Sequence, residues 1–227
     1  MKDFRQIYRD EGPYHHQARG FRAWFLADNY ARLAETCRAE HEVLDLACGE
    51  GCLAPHLGVR RLWGLDHSSE AIDWNRRLYP GAYHALLLAD MRSLAEVELP
   101  RPGFHRVVCS LALMYLEPAE LDTCLAEVRR LLHPGGALVF TYPTVSRFRA
   151  PSRTSAELAP GEMLAHLVTG GFRTVSIAPV CPLVPPETVD ASQRVEGEEA
   201  ARRVYDENRR TMTLERSYHW ICQAEIP

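Results

Sequence analysis

The chain has 227 residues, 46% of them hydrophobic and 25% charged, with a formal net charge of −4. That suffices for one full core and offers no electrostatic case for nucleic acid. No run of about 18 apolar residues occurs, so no membrane span is expected, and Met1-Lys2-Asp3-Phe4-Arg5-Gln6 lacks the apolar centre of a secretory signal.

Residues 1–14 mix aromatic and charged side chains and end at the turn signal Gly12-Pro13-Tyr14. From His15 to Arg38, Phe21, Trp24, Phe25, Leu26, Tyr30, Leu33 and Ala34 recur at three- and four-residue steps, which predicts a helix with a core-facing stripe. Tyr8, Tyr14, His15 and His16 are candidates to close over a ligand. Next comes Val43-Leu44-Asp45-Leu46-Ala47-Cys48-Gly49-Glu50-Gly51, an apolar run that carries an acid and opens into a glycine turn. Residues Cys52 to Leu57 then start a helix. Such a turn lets a ligand reach the backbone, and the helix start offers free N–H groups and partial positive charge.

The second strand, Arg61 to Leu65, ends at Asp66, about twenty residues past Asp45, the spacing at which an acid meets ribose hydroxyls in nucleotide-binding βαβ units. His67 and Ser68 follow; Ser68 or Ser69 is a candidate cap for a helix over Ala71 to Leu78. The third strand, His84 to Ala89, ends at Asp90-Met91. Three acids at the carboxyl ends of successive parallel strands converge on one sheet edge, where open α/β folds bind ligands. After a loop over 92–103, Arg106 to Ser110 is the fourth strand, Pro118 opens a helix striped by Leu121, Leu125, Val128, Leu131 and Leu132, and Ala137 to Thr141 is the fifth strand. Beyond Tyr142, a helix over Pro160 to Thr169, a strand over Phe172 to Val180, a Pro-rich link over Cys181 to Pro186, a helix over Glu196 to Thr213 and a final strand over Ser217 to Ile226 complete the chain. Strands alternating with helices place it in the α/β class.

Two cofactors suit this pattern. Gly49-x-Gly51-x-x-Ala54 matches the dinucleotide fingerprint and suggests a nicotinamide-dependent oxidoreductase. Against it, Asp45 stands where that fold needs a tight turn, and Lys2, the only lysine, removes a Tyr-x-x-x-Lys pair. The other is S-adenosylmethionine (SAM). The acid followed by x-Ala-x-Gly-x-Gly resembles the first motif of class I SAM-dependent methyltransferases, and Arg106 to Tyr142 resembles their fourth strand, helix, Pro-Gly-Gly turn and fifth strand.

The resemblance implies a Rossmann-like, mostly parallel seven-stranded sheet with an antiparallel last strand, helices on both faces and a small helical lid. The whole of 1–227 would be one domain, with 1–25 and 143–215 on the acceptor side. It implies SAM as cofactor and S-adenosyl-L-homocysteine (SAH) as product. Asp45, Ala47, Cys48, Gly49 and Gly51 would hold the methionine part; Asp66, His67 and Ser68 the ribose side; Asp90 and Met91 the adenine. Cys109, Ser110 and Leu111 would lie beside the methyl group, with Tyr14, His15, His16 and Tyr115 as acceptor contacts or base.

No Asn/Asp-Pro-Pro-aromatic segment, Pro-Cys nucleophile or acid in 109–112 is present, which favours a small-molecule oxygen or nitrogen acceptor over a nucleic-acid base, glutamine or a magnesium-bound catechol. Arg147, Arg149 and Arg153 are candidates for an acidic substrate or for a solvated face. A SAM-binding regulator without turnover is a third reading. Seven irregularly spaced cysteines suggest free thiols in a reducing cytoplasm; Cys48 and Cys52 lack a second ligand pair, so no metal is expected.

Overall fold

The computed structural model describes residues 4–144, 158–194 and 197–227; Arg147, Arg149 and Arg153 lie outside them. Seven strands form one sheet: β1 (Glu42–Leu46), β2 (Arg61–Asp66), β3 (Ala85–Leu88), β4 (Phe104–Ser110), β5 (Leu132–Pro143), β6 (Arg173–Pro182) and β7 (Ser217–Glu225), in the order β3-β2-β1-β4-β5-β7-β6. The first five pair in parallel, while β7 runs against both β5 and β6. The class, the strand count and the reversed last strand are those read from the sequence.

The central strands are apolar on both faces because helices cover both. Alternation sorts their side chains. Leu44, Leu46, Leu138, Phe140 and Trp220 face one layer with Leu121, Leu125, Val128, Met163 and Leu167, from helices α5 (Pro118–Leu131) and α6 (Pro160–Thr169). Val43, Leu62, Val108 and Val139 face the other, with Leu26, Tyr30, Leu33, Leu53 and Leu57, from α2 (Gly20–Ala34) and α3 (Ala54–Leu57). Helix α4 (Ser69–Leu78) is capped by Ser68, whose Oγ accepts from the Ala71 N–H at 3.2 Å.

Two departures matter for the site. The amino-terminal residues form a helix of their own, α1 (Phe4–Glu11); a turn through 13–16 follows, and α2 begins only at Gly20. The helical pattern predicted from His15 is therefore interrupted, because Pro13 and the glycines redirect the chain and a Cβ at Gly20 would meet the Ser192 carbonyl oxygen at 2.3 Å. Helix α1 packs on α4, with Arg9 pairing Glu70 at 2.9 Å. The expected Pro-rich link leads into another helix, α7 (Pro186–Ala191), which packs with α8 (Glu198–Arg210). Tyr205 of α8 donates to Asp28 of α2 at 2.7 Å. These two helices brace α2; no described residue of 143–215 lines the cavity described below.

Candidate active site

A cavity of about 380 Å³ opens at the carboxyl ends of β1 to β4, under the segment that joins α1 to α2. Asp45, Asp66 and Asp90 all line it, so the three acids share one rim. Ala47, Cys48, Gly49, His67, Met91, Ser110 and Leu111 also line it. Three predicted neighbours stand behind the wall. Gly51 turns away, Ser68 is engaged as the α4 cap, and the Cys109 side chain points into the core below.

Each acid is held differently. Asp45, only 2% exposed, accepts from the Tyr83 hydroxyl at 2.8 Å. Burial raises its pKa to about 7, with the Asp66 charge adding to the rise and the Tyr83 bond opposing it. Asp66 accepts the Gly49 N–H and the Ser68 N–H, both at 2.9 Å, and so ties the glycine turn to the end of β2. His67 Nδ1 lies 3.5 Å from Asp66, and that bond raises the His67 pKa. Asp90 is gripped by Arg92, Nε to both oxygens at 3.0 Å and Nη2 at 2.6 Å, which lowers its pKa.

The Asp45 shift has a sign that can be checked. Between the ordinary carboxylate value of about 4 and about 7, the folded chain keeps a proton that the unfolded chain has released. Its contribution to stability is thus complete below about pH 4 and is lost as pH rises through 7. Thermal midpoints of Asp45→Asn should lack this decline, so that wild type loses ground to the variant from pH 4 to pH 7. Parallel curves across that range would refute the assignment.

The glycine turn is built for close approach. Gly49 and Gly51 have φ of +53° and +86°, and a Cβ on Gly49 would meet the Tyr8 hydroxyl at 2.8 Å. Two residues at the rim, Ala47 and Leu111, hold positive φ without being glycine (59° and 55°); backbone strain of this kind gathers at functional sites. Between the glycines, Glu50 is 1% exposed and lines the cavity. Its Oε1 accepts the His16 N–H, and Cys52 Sγ donates to it at 3.4 Å. Burial raises the Cys52 thiol to about 12, so it stays protonated at neutral pH.

Aromatic side chains also line the cavity. Tyr14 and His15 line it, with ring centroids 4.2 Å apart, and Arg22 lies over the Tyr14 ring at 4.9 Å. Phe25, Tyr30, Met114, Tyr115 and His219 are further lining residues. Burial lowers the His15 pKa to about 4, helped by the Arg22 charge, and it raises that of Tyr14. At neutral pH the imidazole is therefore uncharged and the phenol keeps its proton. His16 departs from expectation. Its ring is exposed and faces Tyr79, with Nδ1 3.1 Å from the hydroxyl, because the turn through 13–16 directs its backbone inward and its side chain outward.

Tyr8 was legible as an aromatic near the site. Glu50, Arg22, Phe25, Tyr30, Arg92 and His219 were not selected from sequence. Glu50 was the one with a signal, an acid inside the glycine turn. Among the described residues no group of three or more His, Cys, Asp or Glu is arranged to hold a metal ion, and no helix is long and apolar enough to cross a membrane.

Residues 43–136 match the model of a methyltransferase domain family. No curated protein matches the chain. Among solved structures, a Haloferax volcanii complex with the Trm112 methyltransferase activator contains a chain similar over 100% of this one and 99% of its own length, at 17% identity and a TM-score of 0.71. The [4+2]-cyclase SpnF is similar over 99% and 95%, at 17% identity and a TM-score of 0.67. The N-methyltransferase NodS of Bradyrhizobium japonicum, solved with SAH, is similar over 87% and 84%, at 18% identity and a TM-score of 0.59. At these identities the structural likeness speaks for the fold.

Proposed function

Residues 43–136 match a methyltransferase domain family, and on that footing we propose that the chain is a class I SAM-dependent methyltransferase that acts on an oxygen or nitrogen of a small-molecule metabolite. The observation that carries this reading is one cavity in which three strand-end acids face an aromatic wall beneath the α1–α2 segment. The residues present fit the cofactor. A glycine turn without Cβ atoms leaves room for an extended amino-acid chain, and Asp66 has lone pairs left for a vicinal diol. Ala47, Cys48 and Gly49 would line the methionine end, with Gly51 shaping the turn behind them; Asp66 with His67 would hold the ribose, and Asp90 with Met91 the adenine edge. When bound, SAM supplies a methyl group already activated on sulfur.

The protein's share is then chiefly orientation and exclusion of water, which can be worth roughly 7–11 kcal/mol. Ser110 and Leu111 would floor the reacting region; Tyr14, His15 and Tyr115 would position the acceptor. The uncharged His15 can accept a hydrogen bond from an acceptor O–H or N–H, and its low pKa makes it a modest base. The whole chain acts as one domain, with residues 4–25 over the site. Seven free cysteines accord with a reducing compartment, the cytoplasm, and the net charge of −4 accords with a partner other than nucleic acid.

Calorimetry with SAM and SAH, followed by transfer of labelled methyl from SAM into a fractionated metabolite extract, tests the reading. Binding of both nucleosides and label in a small-molecule fraction are the expected results. Binding without any transfer would replace it with the regulator reading, and absence of binding would remove both.

A further inference from the structure

The Glu50 carboxylate is nearly sealed from solvent, yet it is only half satisfied. Oε1 accepts the His16 N–H and the Cys52 thiol, whereas Oε2 is buried without a hydrogen-bond partner. No described arginine or histidine forms an ion pair with it. Of the two arginines that line the cavity, Arg22 lies over the Tyr14 ring and Arg92 is engaged by Asp90. Buried carboxylates are paired or else held protonated, and burial raises this one's pKa. An acid placed between two glycines, lining a cavity, with one oxygen empty, is a receptor waiting for a cation.

Resting on the cofactor reading above, we propose that Glu50 receives the ammonium group at the amino-acid end of SAM and SAH, and that its second oxygen makes it the latch holding residues 14–16 over the bound cofactor. Asp45 also accepts at one oxygen, from Tyr83, but its other oxygen is not a buried atom left without a partner, whereas Glu50 Oε2 is. Asp66 and Asp90 stand at the ends of the neighbouring strands, with one oxygen pair tied to the turn and the other to Arg92. Glu50 joins the glycine turn directly to the amino-terminal segment, through the His16 N–H. Tyr14 and His15, just before that bond, wall the acceptor end. Filling Oε2 fixes the carboxylate and thereby its bond to residue 16, so the cofactor completes the acceptor wall. By reciprocity, a closed segment also tightens cofactor binding. The acceptor accordingly binds after the cofactor.

The test compares wild type with Glu50→Gln, which keeps the side-chain volume and an acceptor for the His16 N–H but removes the charge. Two ligands are titrated by calorimetry: SAH, and 5′-methylthioadenosine, which lacks the amino-acid end. The variant should bind SAH about 10–100-fold more weakly, the range of one charge-assisted hydrogen bond, with 5′-methylthioadenosine unchanged. Amide exchange over residues 12–19 should slow on SAH addition in wild type but not in the variant. Unchanged SAH affinity, or equal loss of both ligands, overturns the assignment to Glu50. A wild type that binds neither ligand overturns the cofactor site, and this proposal with it.

Discussion

Asp66→Ala should abolish measurable SAH binding and lower the thermal midpoint by about 5–15 °C. The side chain serves two ends at once. Toward the protein, it accepts the Gly49 and Ser68 N–H groups at 2.9 Å each from a position only 6% exposed. Alanine strands both donors, at about 1–3 kcal/mol apiece, and the turn after β1 loses its tie to β2. Toward the ligand, a carboxylate can accept both hydroxyls of a ribose, and charge-assisted bonds of that kind contribute about 1.5–3 kcal/mol each; losing them weakens affinity by more than about 100-fold. Asp66→Asn separates the two roles. It retains one carbonyl acceptor, so it should recover part of the stability and little of the affinity. The His67 resonance offers an independent reading: its pKa, raised chiefly by the bond to Asp66, should fall in the alanine variant. A variant that melts like wild type and binds SAH with unaltered affinity would show that Asp66 holds neither the turn nor the ligand.

Gly51→Ala should cost about 2–5 kcal/mol and weaken cofactor binding in proportion to the distortion it forces on the turn. Two penalties add. With φ at +86°, any side chain is strained. A Cβ there would also lie 2.6–2.8 Å from three atoms of the Asn75 side chain. Asn75 cannot step aside easily. It is fully buried in α4, and its Nδ2 donates to the Gly49 carbonyl at 3.4 Å and lies 3.8 Å from Cys48 Sγ. The turn would move instead, carrying Gly49 away from Asp66. Gly58→Ala is the matched control, with φ of +61° and no atom within 4 Å of the added carbon; only the conformational penalty of about 1–2 kcal/mol remains. Chemical denaturation of the pair measures the difference, and equal losses in both variants would show that the Asn75 contact carries no weight.

The first five strands and α5 were legible because each writes its own period into the chain. Val43, Leu44 and Leu46 are wholly buried, and a strand covered on both faces reads as an apolar run whatever surrounds it. The bounds of α6, Pro160–Thr169, agree with the sequence reading, since proline opens it and a glycine pair stops it. The resemblance to a methyltransferase domain, matched over residues 43–136, was legible in the turn after β1 for the same local reason. Less of the site was legible. His16 carries the residue type expected of a base, but its ring points at Tyr79. His219 reaches the cavity from β7, 103 residues beyond the last of the other lining residues, Leu116. Arg92 takes both oxygens of Asp90, a pairing that i, i+2 spacing does not announce.

The α/β class, the succession of parallel strands, the glycine cradle and the three acids at the strand ends can all be read locally, because hydrophobic period and turn chemistry act over a few residues. What closes the cradle follows from the folded chain: among the described residues, α1 and the turn at 13–16 lie over it, and Glu50 rather than His16 faces inward. Those outcomes depend on which distant surfaces meet. A backbone turn at His16 and a carboxylate 34 residues further on select each other by burial and hydrogen bonding, and neither leaves a period in the sequence.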